Sequence, residues 1–321
     1  MSSNNPLWTK RHLLGIEDLS REEILYIMET ADRFKDISTR SIKKAPALQG
    51  RTVVNMFYEP STRTNLSFTL AERRLSADVL SFSKSGSSVA KGETLVDTAH
   101  NIEAMGVDIM VLRHNAAGAA KLLADNVRCH VVNAGDGEHE HPTQALLDIY
   151  TLRSLLNSRR AGFPERWEDL TVGIVGDISH SRVARSNIWG LTKLGAKVIV
   201  VGPTTMLPVE IANMGVEVCS DLDYAIRNCN VLNMLRIQME RQRGVCPFPS
   251  LREYSRLFGL TRDRLEHLHR EDLVIMHPGP VNRGIELSPE LADSANSMIL
   301  QQVTYGVAVR MGVLFLVSSV E

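Results

Sequence analysis

The chain has 321 residues, 44% of them hydrophobic, and a formal net charge of −1. That length suggests two domains with packed cores, and the charge balance gives no global electrostatic case for nucleic acid or a membrane surface. Cys129, Cys219, Cys229 and Cys246 form no CxxC pair, the first 12 residues are polar, and the longest apolar stretch, 303–317, contains Thr304, Gly306 and Arg310. The expectation is a reduced, cytoplasmic chain without a secretory signal or membrane span.

In chain order, Ser20-Arg21-Glu22-Glu23 reads as a capping box opening a helix over 20–34, with Ile24, Ile27, Met28, Ala31 and Phe34 on one face. The apolar, β-branched run 52–58 reads as a buried strand. Glu59-Pro60 breaks it, because proline has no N–H and disfavours a helical residue before it. Ser61-Thr62-Arg63-Thr64 then forms the first turn of a helix carrying Leu66, Phe68, Leu70, Ala71 and Leu75. A helix start exposes unpaired N–H groups and the positive dipole end, and the hydroxyls and one arginine add donors suited to phosphate oxygens. Ordinary capping by Ser and Thr is the competing reading.

A second strand is expected at 79–82, a Ser/Gly-rich loop with Lys84 and Lys91 at 83–92, and a helix at 94–105. A strand over 107–112 delivers Arg113 and His114, and another spans 127–133. Gly135-Asp136-Gly137 turns the chain into a long helix over 142–156, and 158–167 is the candidate linker. Further strands are expected at 171–175, 197–201, 216–219, 231–234 and 273–276, with helices between them. The fold class is therefore α/β, each of two domains being a mostly parallel sheet flanked by helices. Arg63, Arg113, Asp177, Arg236 and Pro278 all fall just past strand ends, where such sheets bind ligands. A helix cap at Ser288-Pro289-Glu290 precedes a nearly all-round apolar helix over 298–317, which should be buried.

Ser61-Thr62-Arg63-Thr64 after Phe-Tyr-Glu-Pro resembles the carbamoyl-phosphate site of the transcarbamoylases. Lys91-Gly92-Glu93-Thr94, His141-Pro142-Thr143-Gln144, Ser181-Arg182-Val183-Ala184-Arg185, the run Leu235-Arg236-Ile237-Gln238-Met239-Glu240-Arg241 and His277-Pro278-Gly279-Pro280 resemble, in order, the aspartate carbamoyltransferase family. The resemblance covers nearly the whole chain. It implies a carbamoyl-phosphate-binding domain over 1–150, an aspartate-binding domain over 151–295, and a C-terminal helix, about 296–321, returning to the first domain.

The reaction so implied needs positive charge on the phosphate, donors at the carbonyl and an acceptor for the carbamoyl NH2, with no cofactor and no metal. Arg63 and Thr64, with Ser61 and Thr62, are the expected phosphate ligands; Arg113 reaches phosphate and carbonyl oxygen. His141 fits as the donor to that oxygen and Gln144, three residues on, as the acceptor. A capping histidine is the plain alternative, and a metal site at 139–141 is disfavoured because its spacing matches no HExxH or Cys/His ligand pattern. Gly279-Pro280 implies a backbone carbonyl turned to the amine across a cis peptide. Arg182 and Arg236, assisted by Gln238, are expected to hold the two carboxylates of L-aspartate, with Arg185, Arg241 and Arg243 in structural ion pairs. The resemblance also implies a homotrimer in which Lys91 and Ser87 or Ser88 enter a neighbour's site, Lys91 contributing to aspartate binding, and Glu93 orients Arg63 across the interface. It leaves open a regulatory chain or a dihydroorotase partner.

Asn65 and Thr69 stand where the family usually has arginine and glutamate. They are four apart on one helix, so an ion pair has been exchanged as a unit. An ornithine carbamoyltransferase is disfavoured because Arg236-Ile237-Gln238 replaces that family's Ser-Met-Gly motif and would repel an ammonium. A nicotinamide-dependent oxidoreductase is disfavoured because Gly173-Ile174-Val175-Gly176 lacks the GxGxxG fingerprint. A non-catalytic homologous subunit is the third alternative.

Overall fold

The computed structural model describes residues 7–83, 92–237 and 250–320. It divides into two compact units, 1–147 with 304–321, and 148–303. The expected strand–helix alternation is present in both.

In the first unit, α1 (Arg21–Lys35) begins with the predicted capping box: Ser20 Oγ accepts from Glu23 N at 3.1 Å while Glu23 accepts from Ser20 N at 2.8 Å. Then follow β1 (Thr52–Phe57), α2 (Thr62–Arg74), β2 (Asp78–Ser83), α3 (Leu95–Glu103), β3 (Ile109–His114), α4 (Ala119–Asn126), β4 (His130–Asp136) and α5 (Pro142–Leu156). The four strands are parallel in the order β2-β1-β3-β4. Val54, Met56, Met110, Leu112 and Val131 form the core between sheet and helices.

The fourth strand lies later than the apolar pattern predicts, at 130–136 instead of 127–133. Its last residues are polar yet buried because they satisfy one another: Asn133 Nδ2 donates to Asp136 Oδ1 at 2.7 Å and to Leu14 O at 2.8 Å. Hydrophobic periodicity cannot register a strand end built that way.

The second unit contains β5 (Thr171–Val175), α6 (Arg182–Leu194), β6 (Lys197–Val201), β7 (Glu217–Cys219), α7 (Leu222–Asn228), β8 (Val231–Met234), α8 (Leu251–Phe258), α9 (Arg262–His267), β9 (Val274–Met276) and the single turn α10 (Pro289–Ala292). Its five strands are also parallel, in the order β7-β6-β5-β8-β9. The unit boundary falls inside α5, between Leu147 and Asp148, rather than in the polar 158–167 stretch, which joins α5 to β5.

The last helix, α11 (Ile299–Ser318), is long and apolar enough to cross a membrane by length and composition, but it packs inside the chain. From residue 304 it belongs to the first unit, as expected. Phe315 meets Phe34 of α1 edge-on at 5.7 Å between ring centroids. A Cβ at Gly312 would lie 3.2 Å from the Ala31 backbone nitrogen, tighter than an ordinary contact, so the two helices approach closely there. Buried Arg310 donates to Ser67 Oγ of α2 at 3.0 Å and lies 5.1 Å from the Phe68 ring centroid. The terminal helix thus braces the helix that begins with Thr62.

Candidate active site

In each sheet the strand order reverses once, between β1 and β3 in the first and between β5 and β8 in the second. A crevice opens at the carboxyl ends of such strands because their following helices depart to opposite faces. The candidate residues of each unit follow those strands.

At the first switch point, β1 leads through Glu59 and Pro60 to Ser61, whose carbonyl accepts from Asn65 N at 3.1 Å as α2 begins. Ser61 makes no side-chain cap bond, so its hydroxyl is not consumed by the helix it precedes. Thr62 and Arg63 are exposed in the first turn, while Thr64 is buried. Arg113, at the end of β3, points to the same turn: Nη1 lies 3.5 Å from Thr64 Oγ1 and donates to Ala134 O at 3.1 Å. Its Nε lies 2.7 Å from Glu59 Oε1. That carboxylate, read from sequence only as part of a strand break, orients the guanidinium.

His141 caps α5, its carbonyl accepting from Gln144 N at 3.0 Å and Ala145 N at 3.3 Å. His141 and Gln144 are both buried. The approach to His141 is rigid because Asp136 accepts from Gly118 N, Glu140 N and Asn133 Nδ2 at 2.8, 3.2 and 2.7 Å. Gly137 has φ of +49°, and a Cβ there would lie 2.5 Å from Ala117 N, so this turn requires glycine. Glu140 in turn accepts from Ile16 N and Glu17 N at 2.8 and 3.1 Å. Its carboxylate is occupied by backbone donors, which argues against the metal reading of 139–141. Glu17, His139 and Glu140 do bring ligand atoms within 4.8 Å of one another, but His139 is paired with Asp136 at 3.1 Å, which raises its pKa.

At the second switch point, β5 leads into a turn braced by Asp177 and His180, whose Nδ1 lies 2.9 Å from the carboxylate. Ser181 caps α6 by accepting from Ala184 N at 3.1 Å, and Arg182, its first residue, is buried. Arg185 donates to the Ser179 carbonyl at 3.3 Å, a backbone partner where an ion pair is expected from sequence. Arg236 is half-buried just past β8. After β9 the peptide Gly279-Pro280 is cis, as the resemblance implied, and Gly279 has φ of +70°. Ser87, Ser88, Lys91, Gln238, Arg241 and Arg243 lie outside the described residues. Glu93 accepts from Thr98 Oγ1 at 3.1 Å and Asn101 Nδ2 at 2.8 Å within the chain.

Several supporting residues have little sequence signal. Asp148, fully buried in α5, accepts from Asn187 Nδ2 of α6, Asn233 Nδ2 of β8 and Gln302 Nε2 of α11 at 2.8, 3.3 and 2.7 Å. These side chains come from four distant stretches, and only folding makes them a group.

Two parallel α/β units, each with an arginine at its switch point and a hydroxyl–arginine turn opening α2 in the first, suit the binding of anionic substrates. The chain belongs to the aspartate/ornithine carbamoyltransferase family: residues 11–154 match the profile of its carbamoyl-P binding domain and residues 168–317 that of its Asp/Orn binding domain. Within that family it is 54% identical, over 97% of this chain and 96% of the relative, to the aspartate carbamoyltransferase catalytic subunit of Halothermothrix orenii. The structure is similar to Trypanosoma cruzi aspartate transcarbamoylase in complex with carbamoyl phosphate and aspartate (TM-score 0.82, 29% identity, 98% of this chain and 96% of that one). It is also similar to ornithine carbamoyltransferase from Pyrococcus furiosus (TM-score 0.79, 27% identity, 95% and 96% covered).

Proposed function

We infer that the chain transfers the carbamoyl group of carbamoyl phosphate to the amino group of L-aspartate, giving N-carbamoyl-L-aspartate and phosphate, a step of pyrimidine biosynthesis. The observation that carries this reading is the turn after β1, where Thr64 lies 3.5 Å from Arg113 across the switch point, in a chain so close to named catalytic subunits. Similarity to a structure holding both substrates supports it.

In this reading Ser61, Thr62, Arg63 and Thr64 hold the phosphate, whose charge suits a helix start with added guanidinium donors. Arg113 exchanges Glu59 for the incoming anion and extends to the carbonyl oxygen. His141 donates to that oxygen, and Gln144 accepts from the carbamoyl NH2. The neutral amine attacks the carbonyl carbon, the oxygen gains negative charge, and these donors stabilise it in a site where water competes poorly. Collapse breaks the bond to the phosphate oxygen, and the departing phosphate takes the amine proton. No side chain acts as a strong base, so activity rises with pH as bound amine deprotonates. A sharp acid optimum would overturn that assignment. Arg182, Arg236 and Gln238 take the carboxylates of aspartate, and the 278–280 backbone faces the amine, with Gly279 and Pro280 beside the carbamoyl group.

A homotrimer with Lys91 and either Ser87 or Ser88 entering the neighbour's site completes the proposal. Leu66 and Leu70 of α2 and Leu80 of edge strand β2 are exposed, which suits a covered face beside the anion turn. Mixing Lys91→Ala with Arg63→Ala chains should restore part of the activity; none, despite proven mixing, argues against sharing. The decisive assay offers aspartate and ornithine side by side with carbamoyl phosphate. Turnover of aspartate alone is expected, because two arginines repel the ornithine ammonium; preference for ornithine would reverse the reading.

A further inference from the structure

Resting on the reading above, we propose that Glu286 is a positioning residue for the aspartate half of the site, setting the tautomer of His277 and through it the backbone of 277–282.

Glu286 and His277 are both inaccessible to solvent, with His277 Nε2 3.1 Å from Glu286 Oε1. The other ring nitrogen decides the proton. Gly279 N–H donates to His277 Nδ1 at 2.7 Å, so Nδ1 is unprotonated and Nε2 carries the hydrogen given to Glu286. The opposite tautomer would set two hydrogens against each other at Nδ1 and leave Nε2 facing a carboxylate with no donor. The carboxylate therefore acts at a distance: by demanding a donor at Nε2 it creates the acceptor that pulls the Gly279 N–H inward.

The same oxygen governs the far end of the loop. Glu286 Oε1 also accepts from Asn282 N at 2.6 Å. Asn282 Nδ2 donates to Ile237 O at 3.3 Å, on the segment that carries Arg236. One buried carboxylate oxygen thus closes 277–282 into a loop and ties it to the chain leaving β8. On the other side, His277 N donates to Gln302 Oε1 at 3.0 Å, and Gln302 Nε2 donates to Asp148, which fixes the start of the loop. Glu286 Oε2 is buried and makes no hydrogen bond among the described residues, so both loop contacts run through Oε1. A buried carboxylate with one bare oxygen is costly to keep where packing alone would serve. The two hydrogen bonds to its other oxygen offset that cost. The loop it closes holds the 278–280 backbone that the reaction needs within a fraction of an ångström of the amine.

The test combines kinetics with a direct view of the ring. Glu286→Gln keeps an oxygen for both donors and should retain kcat/KM for aspartate within about threefold. Glu286→Ala should lower it about a hundredfold through misplaced backbone. Its affinity for inorganic phosphate by calorimetry should be unchanged, because the phosphate ligands lie in the other unit. Asn282→Ala, which leaves the buried pair intact, should raise the KM for aspartate several-fold with little change in kcat. In the unaltered chain, nitrogen chemical shifts of 15N-histidine should show His277 protonated at Nε2 and bare at Nδ1. The proposal falls if His277 is protonated at Nδ1, if Glu286→Ala matches the parent, or if Glu286→Gln is as damaged as Glu286→Ala. Should Glu286→Ala not fold, the tautomer and the Asn282→Ala and Glu286→Gln kinetics decide. If the parent chain fails to carbamoylate aspartate while His277 shows the Nε2–H form, the activity reading fails and the loop assignment stands.

Discussion

The two switch points use their charges differently. In the first unit the cations are accessible or provisionally paired: Arg63 is exposed, and Arg113 is held by Glu59 at 2.7 Å. In the second, Arg182 is buried at the start of α6, and the supports around the strand ends are interior groups, Asp148, His277 and Glu286. A strongly charged phosphate can displace an acid from an arginine, so the first site can exchange one anion for another at little cost in desolvation. An amino acid must be told apart from its relatives by where its two carboxylates fall, which rewards a fixed frame more than a rechargeable one. The contrast is one of a replaceable partner against a preset scaffold.

The largest expected effect tests the first side of that contrast. Arg113→Ala should lower kcat by about a thousandfold if, as proposed, it serves both the phosphate and the developing oxyanion. Phosphate binding measured by calorimetry should weaken with it; an unchanged phosphate affinity would place Arg113 outside the site. Next in size, Arg236→Ala should cut kcat/KM for aspartate about a hundredfold while phosphate affinity stays at the parent value. Equal losses for both ligands would erase the division between the units.

A smaller effect probes the frame of the first site. Arg310→Ala removes the contacts of α11 with Ser67 and Phe68 and should cost about 2 kcal/mol, read from urea unfolding. A pH effect probes the same frame. Glu72 of α2 is buried, receives a hydrogen bond from Asn55 Nδ2 of β1 at 2.7 Å, and burial pushes its pKa up to about 7. The folded chain therefore holds this proton more tightly than the unfolded one. Stability from Glu72 is fully present below about pH 4.5, its ordinary value, and is lost as pH rises through about 7. Glu72→Gln, which mimics the neutral acid, should gain on the parent between pH 5 and 8 in urea midpoints. Parallel pH profiles for the two proteins would show that Glu72 is not neutral in the fold.

Strand–helix alternation, the strand break ahead of the helix start at 61–64 and the capped start at Ser20 are legible because each depends on neighbours a few residues apart. Legibility failed where polar groups replaced apolar ones. The end of β4 was placed too early because Asn133 and Asp136 are buried as a bonded pair, and no window of hydrophobicity registers that. Glu59, Glu140, Glu286 and Arg310 carried no local signal at all: each acts on a partner from another element. Glu286 lies only nine residues from His277, yet nothing in that spacing announces a shared hydrogen.

Local chemistry, then, determined the elements, their parallel class and the residue types able to grip a phosphate, because helix caps, strand breaks and donor spacing are written within a turn or two of chain. The order β2-β1-β3-β4 and β7-β6-β5-β8-β9 was decided only by tertiary structure. That order puts β1 beside β3 and β5 beside β8, and so sets Thr64 by Arg113 within one crevice. The reason is physical: pairing between strands far apart in sequence depends on which buried faces and polar groups satisfy each other, and that sum exists only when the whole chain is folded.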